Sequence, residues 1–181
     1  MKRVPRLLIY CLLFFTGILL QVSLVPALKV GGIVPNVLLI LIASIGIFAG
    51  ELTGMTAGFL SGLILDVLFG NLLGFYALIY LLIGFIAGKV GSLLYVEDIK
   101  FPLLFIAFLD CLYGLYCFVF QFLFQNRLYG WYFFRHILLP EVIYTGLFSV
   151  ILYPVLSLLY KRVLREKTAS ELAEEEKSVL K

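Results

Sequence analysis

The sequence predicts an all-α integral membrane protein with about six transmembrane helices. Of its 181 residues, 63% are hydrophobic and only 14% are charged, and the mean hydropathy is +1.11. This composition excludes a soluble globular domain. The apolar residues form consecutive blocks of roughly 18 to 25 residues, and an α-helix needs about 20 residues to cross the hydrocarbon core of a bilayer.

The first block follows Lys2, Arg3 and Arg6, and therefore has the charge pattern of a signal peptide. Val25-Pro26-Ala27 even offers small residues suited to cleavage. However, the run 7–25 is about 19 residues long, which exceeds a usual signal-peptide core and suffices to span a bilayer. We therefore expect an uncleaved first helix.

Short connections divide the remaining blocks. Gly50-Glu51 is the only turn signal between two apolar stretches, and a single helix over 33–70 would be about 57 Å long, too long for one crossing. A helical hairpin at Glu51 follows. Gly70-Asn71 supplies the next turn, since Gly and Asn both tolerate positive φ. The predicted spans are 7–25, 33–50, 52–70, 72–94, 101–124 and 137–160, followed by a cytoplasmic tail, 161–181.

The Lys and Arg residues set the orientation. With six spans both termini share one side, and that side holds eleven of the 14 basic residues, whereas the other side holds only Lys29, Arg127 and Arg135. Because Lys and Arg are enriched in cytoplasmic loops, both termini are predicted to be cytoplasmic.

Two connecting segments carry further signals. The aromatic loop 126–136 suits the membrane interface, with a partner-docking surface as the alternative. In the tail, Thr168 to Glu171 fits a capping box for a short terminal helix, and a disordered tail is the alternative. Pro140 suits the start of the sixth helix, and Pro154 lies inside it and should kink it.

Small residues recur every four positions in the third span, where Asp66 continues a row of glycines. Such a row forms one stripe on a helix and lets another backbone approach closely. We expect the stripe to pack spans two to four together; a homodimer face is the alternative. The candidate helix-packing residues are Gly46, Gly50, Gly54, Gly58, Gly62, Gly84 and Gly88.

Three acids lie within predicted spans: Asp66, Asp110 and Glu141. A carboxyl group at membrane depth is costly, so each should face protein or water and find partners. Asp66 and Glu141 both lie toward the outer side and are expected to be neighbours. A structural or partner-docking role is favoured over a proton or cation path. The sequence shows no catalytic set and no metal cluster, so neither an enzyme nor a cofactor is expected.

Several of these residues carry a family resemblance. Pro35-Asn36, Gly50-Glu51-Leu52, the run from Gly58 to Asp66, and Gly74 to Tyr80 followed by Gly84 resemble the bacterial rod shape-determining protein MreD family. The likeness covers essentially the whole chain. It implies a fold similar to the six-helix substrate-binding membrane subunits (S-components) of ECF vitamin transporters.

The resemblance implies a non-enzymatic scaffold in the inner membrane of a bacterium, within the cell-wall elongation complex. Its implied main partner is an MreC-type protein, with a single span and a periplasmic coiled coil. MreB, RodZ, RodA and a class B penicillin-binding protein are further implied partners, alongside the lipid bilayer and without nucleic acid. The alternative function is the substrate-binding membrane subunit of an ECF-type vitamin transporter, with an outer pocket near Asp66, Glu141 and the 126–136 loop.

Overall fold

The computed structural model of the chain describes residues 15–24, 29, 32–69, 72–91, 100–125 and 133–179, with the backbone alone for 24, 121–125 and 161–179. All secondary-structure elements within these ranges are helices, which confirms the predicted all-α fold. Segment 15–24, α1, ends in a π-helical turn, Leu20–Leu24. The others are α2 (Val37–Ala49), α3 (Glu51–Phe69), α4 (Phe75–Gly91), α5 (Lys100–Gln125) and α6 (Leu139–Val179), the last preceded by a π-helical turn, Phe134–Leu138.

Helix α2 is the core of the bundle. Every residue from Val37 to Ile47 is buried, and Leu38, Leu39, Ile40 and Ile42 have no exposed surface. A helix that is apolar on all sides avoids water, either among neighbouring helices or in lipid. Here α3, α4 and α6 contact it directly, and α1 and α5 make smaller contacts.

Helices α3 and α4 form the most extensive helix pair of the described structure. The face of α3 that meets α4 carries Gly54, Gly58, Gly62 and Asp66. Its opposite face exposes large apolar side chains, among them Leu52 and Val67. Apolar side chains on the outside suit contact with lipid, so this hairpin has a small-residue inner face and a lipid-compatible outer one.

Helices α5 and α6 cover the other side of α2. Ile106 and Leu109 of α5 join Tyr153 of α6 in the same buried apolar cluster as α2. At one end of the bundle, the Tyr160 hydroxyl donates a hydrogen bond to the Phe48 carbonyl, and the two rings stack. These contacts fix α6 against α2 over most of the length of α2.

Three helical stretches are long and apolar enough to cross a membrane: Glu51–Phe69, Lys100–Phe120 and Phe134–Tyr160. The apolar helices α2 and α4 are shorter, with 13 and 17 residues, or about 20 and 26 Å. Predicted span 33–50 is thus longer than its helix, because helical structure begins only at Val37. Only 15–24 of the first predicted span, 7–25, lie within the described residues, and the count of six spans stays a prediction.

The sixth helix differs from the prediction at both ends. Helical structure begins before position 137, in a π-helical turn where the Leu139 N–H donates to the Phe134 carbonyl. Pro140 is the second residue of α6, where a proline is tolerated, and it follows this π turn, a rare form that fits an extra residue into a helix. At the other end the backbone of 161–179 continues α6 without a break. Both predictions for the tail, a new helix capped at Thr168 and a disordered tail, are wrong over that range.

Candidate functional site

The glycines of α2, α3 and α4 lie where these three helices approach most closely. A methyl group added to Gly46 would lie 2.8 Å from the Gly84 carbonyl oxygen, and one added to Gly54 would lie 2.8 Å from the Gly46 Cα. Such distances are too short for any side chain. Gly58, Gly62, Gly84 and Gly88 likewise face backbone atoms of the neighbouring helix or turn.

Gly50 takes part in this contact through its backbone alone, since a methyl group added to Gly88 would lie 2.7 Å from the Gly50 carbonyl carbon. A methyl group added to Gly50 itself would meet nothing within 4 Å. Gly50 stands alone between α2 and α3 with φ of +90°, a conformation that L-residues rarely adopt. It is therefore a turn residue, as Gly50-Glu51 predicted, and only its backbone packs against α4. Gly91, which the sequence analysis missed, also lies at the contact, 2.5 Å from the Ile47 Cα for an added methyl group. Its position three residues after Gly88 was the available signal.

Asp66 is buried, with 2% of its surface exposed, and is satisfied by the start of α4. Its Oδ2 accepts hydrogen bonds from the N–H groups of Gly74 at 2.9 Å and Ala77 at 3.0 Å, and its Oδ1 accepts one from Tyr76 at 2.8 Å. The first N–H groups of a helix lack partners within the helix and carry partial positive charge. Asp66 therefore acts as a cap for α4, supplied by α3.

Asn36 joins three helices through both its side chain and its backbone. Its Oδ1 accepts from the Leu39 N–H at 3.1 Å, which caps α2, and from the Tyr80 hydroxyl at 2.9 Å. Its own N–H donates to the Thr145 hydroxyl at 3.1 Å. The sequence analysis did not single out Asn36 for this role, although Asn directly before an apolar helix is a recognised N-cap signal.

Asp110 is buried next to this network without joining it. Only 1% of its surface is exposed, and neither carboxyl oxygen accepts a hydrogen bond in the structure. Its polar neighbours are Thr145 and Asn36, whose oxygens accept the bonds described above, so that the Thr145 hydroxyl proton and the Asn36 amide protons are the donors nearest to it. A buried acceptor pair without a donor is uncommon and unfavourable. Asp110 is thus the opposite of Asp66, although both are acids inside the helix bundle.

Glu141 lines a cavity at the end of the bundle where α2, α4 and α6 begin and α3 ends. The cavity has a volume of about 200 Å³. Glu141 is close enough to Asp110 for their charges to interact. The expected proximity of Glu141 and Asp66 stays a prediction: Leu65, next to Asp66, lines the cavity, and Tyr76 lies near both acids. The lining residues are Gln21, Val22, Val34, Asn36, Leu65, Phe69, Tyr76, Tyr80, Tyr113 and Glu141.

Chemically, this end of the bundle offers acceptors and aromatic rings. Among the lining residues, the structure shows one carboxyl group and no lysine or arginine. The described residues contain no group of three or more His, Cys, Asp or Glu side chains placed to hold a metal ion. The arrangement is suited to binding and to helix docking.

Comparison with known proteins gives a family match. The family model described as rod shape-determining protein MreD matches residues 1–163. No curated protein matches the chain, and no solved structure matches it either. The predicted likeness of the fold to ECF transporter subunits stays a prediction.

Proposed function

We propose, from the premise that this chain belongs to the rod shape-determining protein MreD family, that it is a scaffold subunit of the bacterial cell-wall elongation complex. The family places the protein in rod-shape determination. The finer role proposed here is non-enzymatic: a multi-pass protein of the inner membrane that docks an MreC-type partner by helix-to-helix contact. MreB, RodZ, RodA and a class B penicillin-binding protein are the further partners that the proposal includes.

The observation that carries the scaffold role is where the polar and small residues of α3 and α4 are used. Both carboxyl oxygens of Asp66 accept hydrogen bonds from backbone N–H groups at the start of α4, and the glycines face neighbouring backbones within the chain. These groups build a closely packed bundle, which supports an internal role for them over a homodimer face. A rigid bundle with an apolar outer surface is a suitable platform for the single span of a partner, because helices associate in lipid through packing.

The test is recovery of partners from native membranes. A tagged copy is purified in mild detergent, and co-purifying proteins are identified by mass spectrometry. We expect a single-span protein with a periplasmic coiled coil, together with wall-synthesis enzymes. An unrelated tagged polytopic protein of the same host, expressed at equal level, is the control. Recovery of paired ATPases with a coupling membrane subunit would contradict the scaffold role and support the transporter alternative.

Two variants in the same experiment test whether docking needs the packed α3–α4 pair. Asp66→Ala is expected to reduce both the membrane level of the protein and its partner recovery, because it removes the cap of α4. Asp110→Asn is the matched control, since it alters a buried acid that makes no hydrogen bond. Normal partner recovery with Asp66→Ala would show that the α3–α4 pair is not needed for docking.

The proposed topology has its own measurement. Both termini are proposed to be cytoplasmic, so a fluorescent protein that matures only in the cytoplasm should fluoresce when fused after Lys181. In the matched fusion, a phosphatase that is active only outside the cytoplasm takes the place of the fluorescent protein. This phosphatase should be inactive. The reverse pattern would contradict the proposed orientation.

A further inference from the structure

We propose that the cavity lined by Glu141, Tyr76, Tyr80 and Tyr113 binds an ammonium group, carried either by a phospholipid headgroup or by a small free amine. This inference goes beyond the scaffold role, because it assigns a ligand to the protein and not a partner. It is independent of partner docking, so either can fail without the other.

The first support is the shape and place of the cavity. Its volume is about 200 Å³. That is below the range of about 300 to 1,000 Å³ usual for drug-sized ligands. The cavity therefore suits a compact polar headgroup and not a large organic molecule. On the proposed topology it lies toward the outer side of the membrane.

The second support is the lining chemistry. Three tyrosine rings and the Phe69 ring line the cavity together with one carboxyl group, and the Tyr80 and Tyr113 rings lie 5.6 Å apart. Aromatic faces attract ammonium groups through the ring quadrupole, and a nearby carboxyl group adds a charged acceptor. Tyr80 donates its hydroxyl proton to Asn36, so its oxygen keeps accepting capacity toward the cavity.

The third support is a second buried acid, Asp110, near the Glu141 side chain that lines the cavity. Asp110 is buried, is close enough to Glu141 for their charges to interact, and has no hydrogen-bond donor on either oxygen. No lysine or arginine lines the cavity in the part of the chain that the structure describes. Two acids without a cation at membrane depth favour a positively charged ligand. A metal ion is a weaker candidate, because the described residues bring no three ligating side chains together.

The test is thermal unfolding of the full-length protein, purified in a zwitterion-free detergent with lipids removed. The probes are ethanolamine, choline, phosphatidylethanolamine in mixed micelles and phosphatidylglycerol in mixed micelles, with sodium chloride as the ionic-strength control. We expect the unfolding midpoint to rise by about 5 °C or more with a saturating ammonium probe. Glu141→Gln should raise the half-maximal concentration at least about tenfold, the scale of one charge-assisted hydrogen bond.

The matched control is Glu51→Gln, which changes an exposed acid at the first turn of α3, outside the cavity. It should titrate like the unmodified protein. Tyr76→Leu is a second test of the site should Glu141→Gln fail to fold, and it should also weaken the ammonium effect.

The outcomes separate the two sources. Stabilisation by phosphatidylethanolamine alone assigns the site to a lipid headgroup, and stabilisation by free ethanolamine or choline assigns it to a small amine. Both results support the ammonium site if Glu141→Gln weakens them. Equal stabilisation by phosphatidylglycerol, an effect unchanged in Glu141→Gln and Tyr76→Leu, or no shift with any probe would overturn the proposal.

Discussion

Two acids buried to the same extent should respond in opposite ways to the same substitution. Asp66 and Asp110 are 2% and 1% exposed. Asp66 accepts three backbone hydrogen bonds, whereas Asp110 accepts none. We expect Asp66→Asn to destabilise the protein clearly and Asp110→Asn to leave its stability unchanged or slightly higher.

The magnitude follows from the bonds lost. In Asp66→Asn the amide oxygen can take the place of Oδ2 and keep the bonds from Gly74 and Ala77, while the amide nitrogen opposes the Tyr76 N–H. One charge-assisted bond is lost and the others become neutral, which costs about 1.5–3 kcal/mol. Asp66→Ala loses all three bonds and leaves donors at a helix start unpaired, for about 3–6 kcal/mol. Asp110→Asn loses no hydrogen bond of the structure and keeps the shape of the side chain, so the change should stay within about 1 kcal/mol.

The assay is the free energy of unfolding in mixed micelles, followed by circular dichroism as a denaturing detergent is titrated in. The expected order of stability is Asp110→Asn equal to or above the unmodified protein, then Asp66→Asn, then Asp66→Ala. An Asp66→Asn protein as stable as the unmodified one would refute the capping role. A loss at Asp110→Asn as large as at Asp66→Asn would show that Asp110 has a donor that the structure does not place there.

Three further comparisons use matched positions. Gly84→Ala should destabilise the protein by about 1–3 kcal/mol, because the methyl group would press on the Gly54 backbone. Gly146→Ala, where nothing lies within 4 Å, should be neutral or stabilising by up to about 1 kcal/mol. Equal effects of the two changes in the unfolding titration would contradict the close packing. Tyr80→Phe should lower the free energy of unfolding by about 1–2 kcal/mol, because it removes the hydrogen bond to Asn36. Tyr153→Phe should not lower it, because the buried Tyr153 hydroxyl has no partner. A larger loss at Tyr153 in the same assay would count against the Asn36 network. Gly50→Ala should cost about 1 kcal/mol through its positive φ although there is room for the methyl group, and Gly50→Asn, which tolerates positive φ better, should recover part of that loss in thermal unfolding.

Local patterns predicted the helices well. Apolar length and composition are properties of neighbouring residues, so the blocks that became α3, α4, α5 and the start of α6 could be recognised from the chain alone. The four-residue spacing from Gly54 to Asp66 also predicted one face of α3, because helical geometry fixes which residues share a face. The tail was mispredicted because a capping-box pattern is a local preference, and the helix that enters from α6 continues through it.

The polar contacts could not be read from local patterns. Asn36 meets Tyr80 and Thr145, which are 44 and 109 positions away along the chain. Asp66 meets donors 8 to 11 positions later, beyond the end of its own helix. Depth in the membrane suggests that Asp66 and Glu141 could be neighbours, but it does not predict that Asp66 bonds to the start of α4, because depth does not fix the direction of a side chain. The partners of buried acids therefore required the packed structure.

The complete burial of α2 has a consequence for the order of assembly. The contacts between α3 and α4 are local in sequence, so this hairpin can form soon after its two helices have entered the membrane. Helix α2 enters earlier but is enclosed only when α6, the last helix, has packed against it and Thr145 has reached Asn36. A nascent chain that stops before α6 therefore leaves its most apolar helix in contact with lipid on one side, and the core is completed only once α6 has been made.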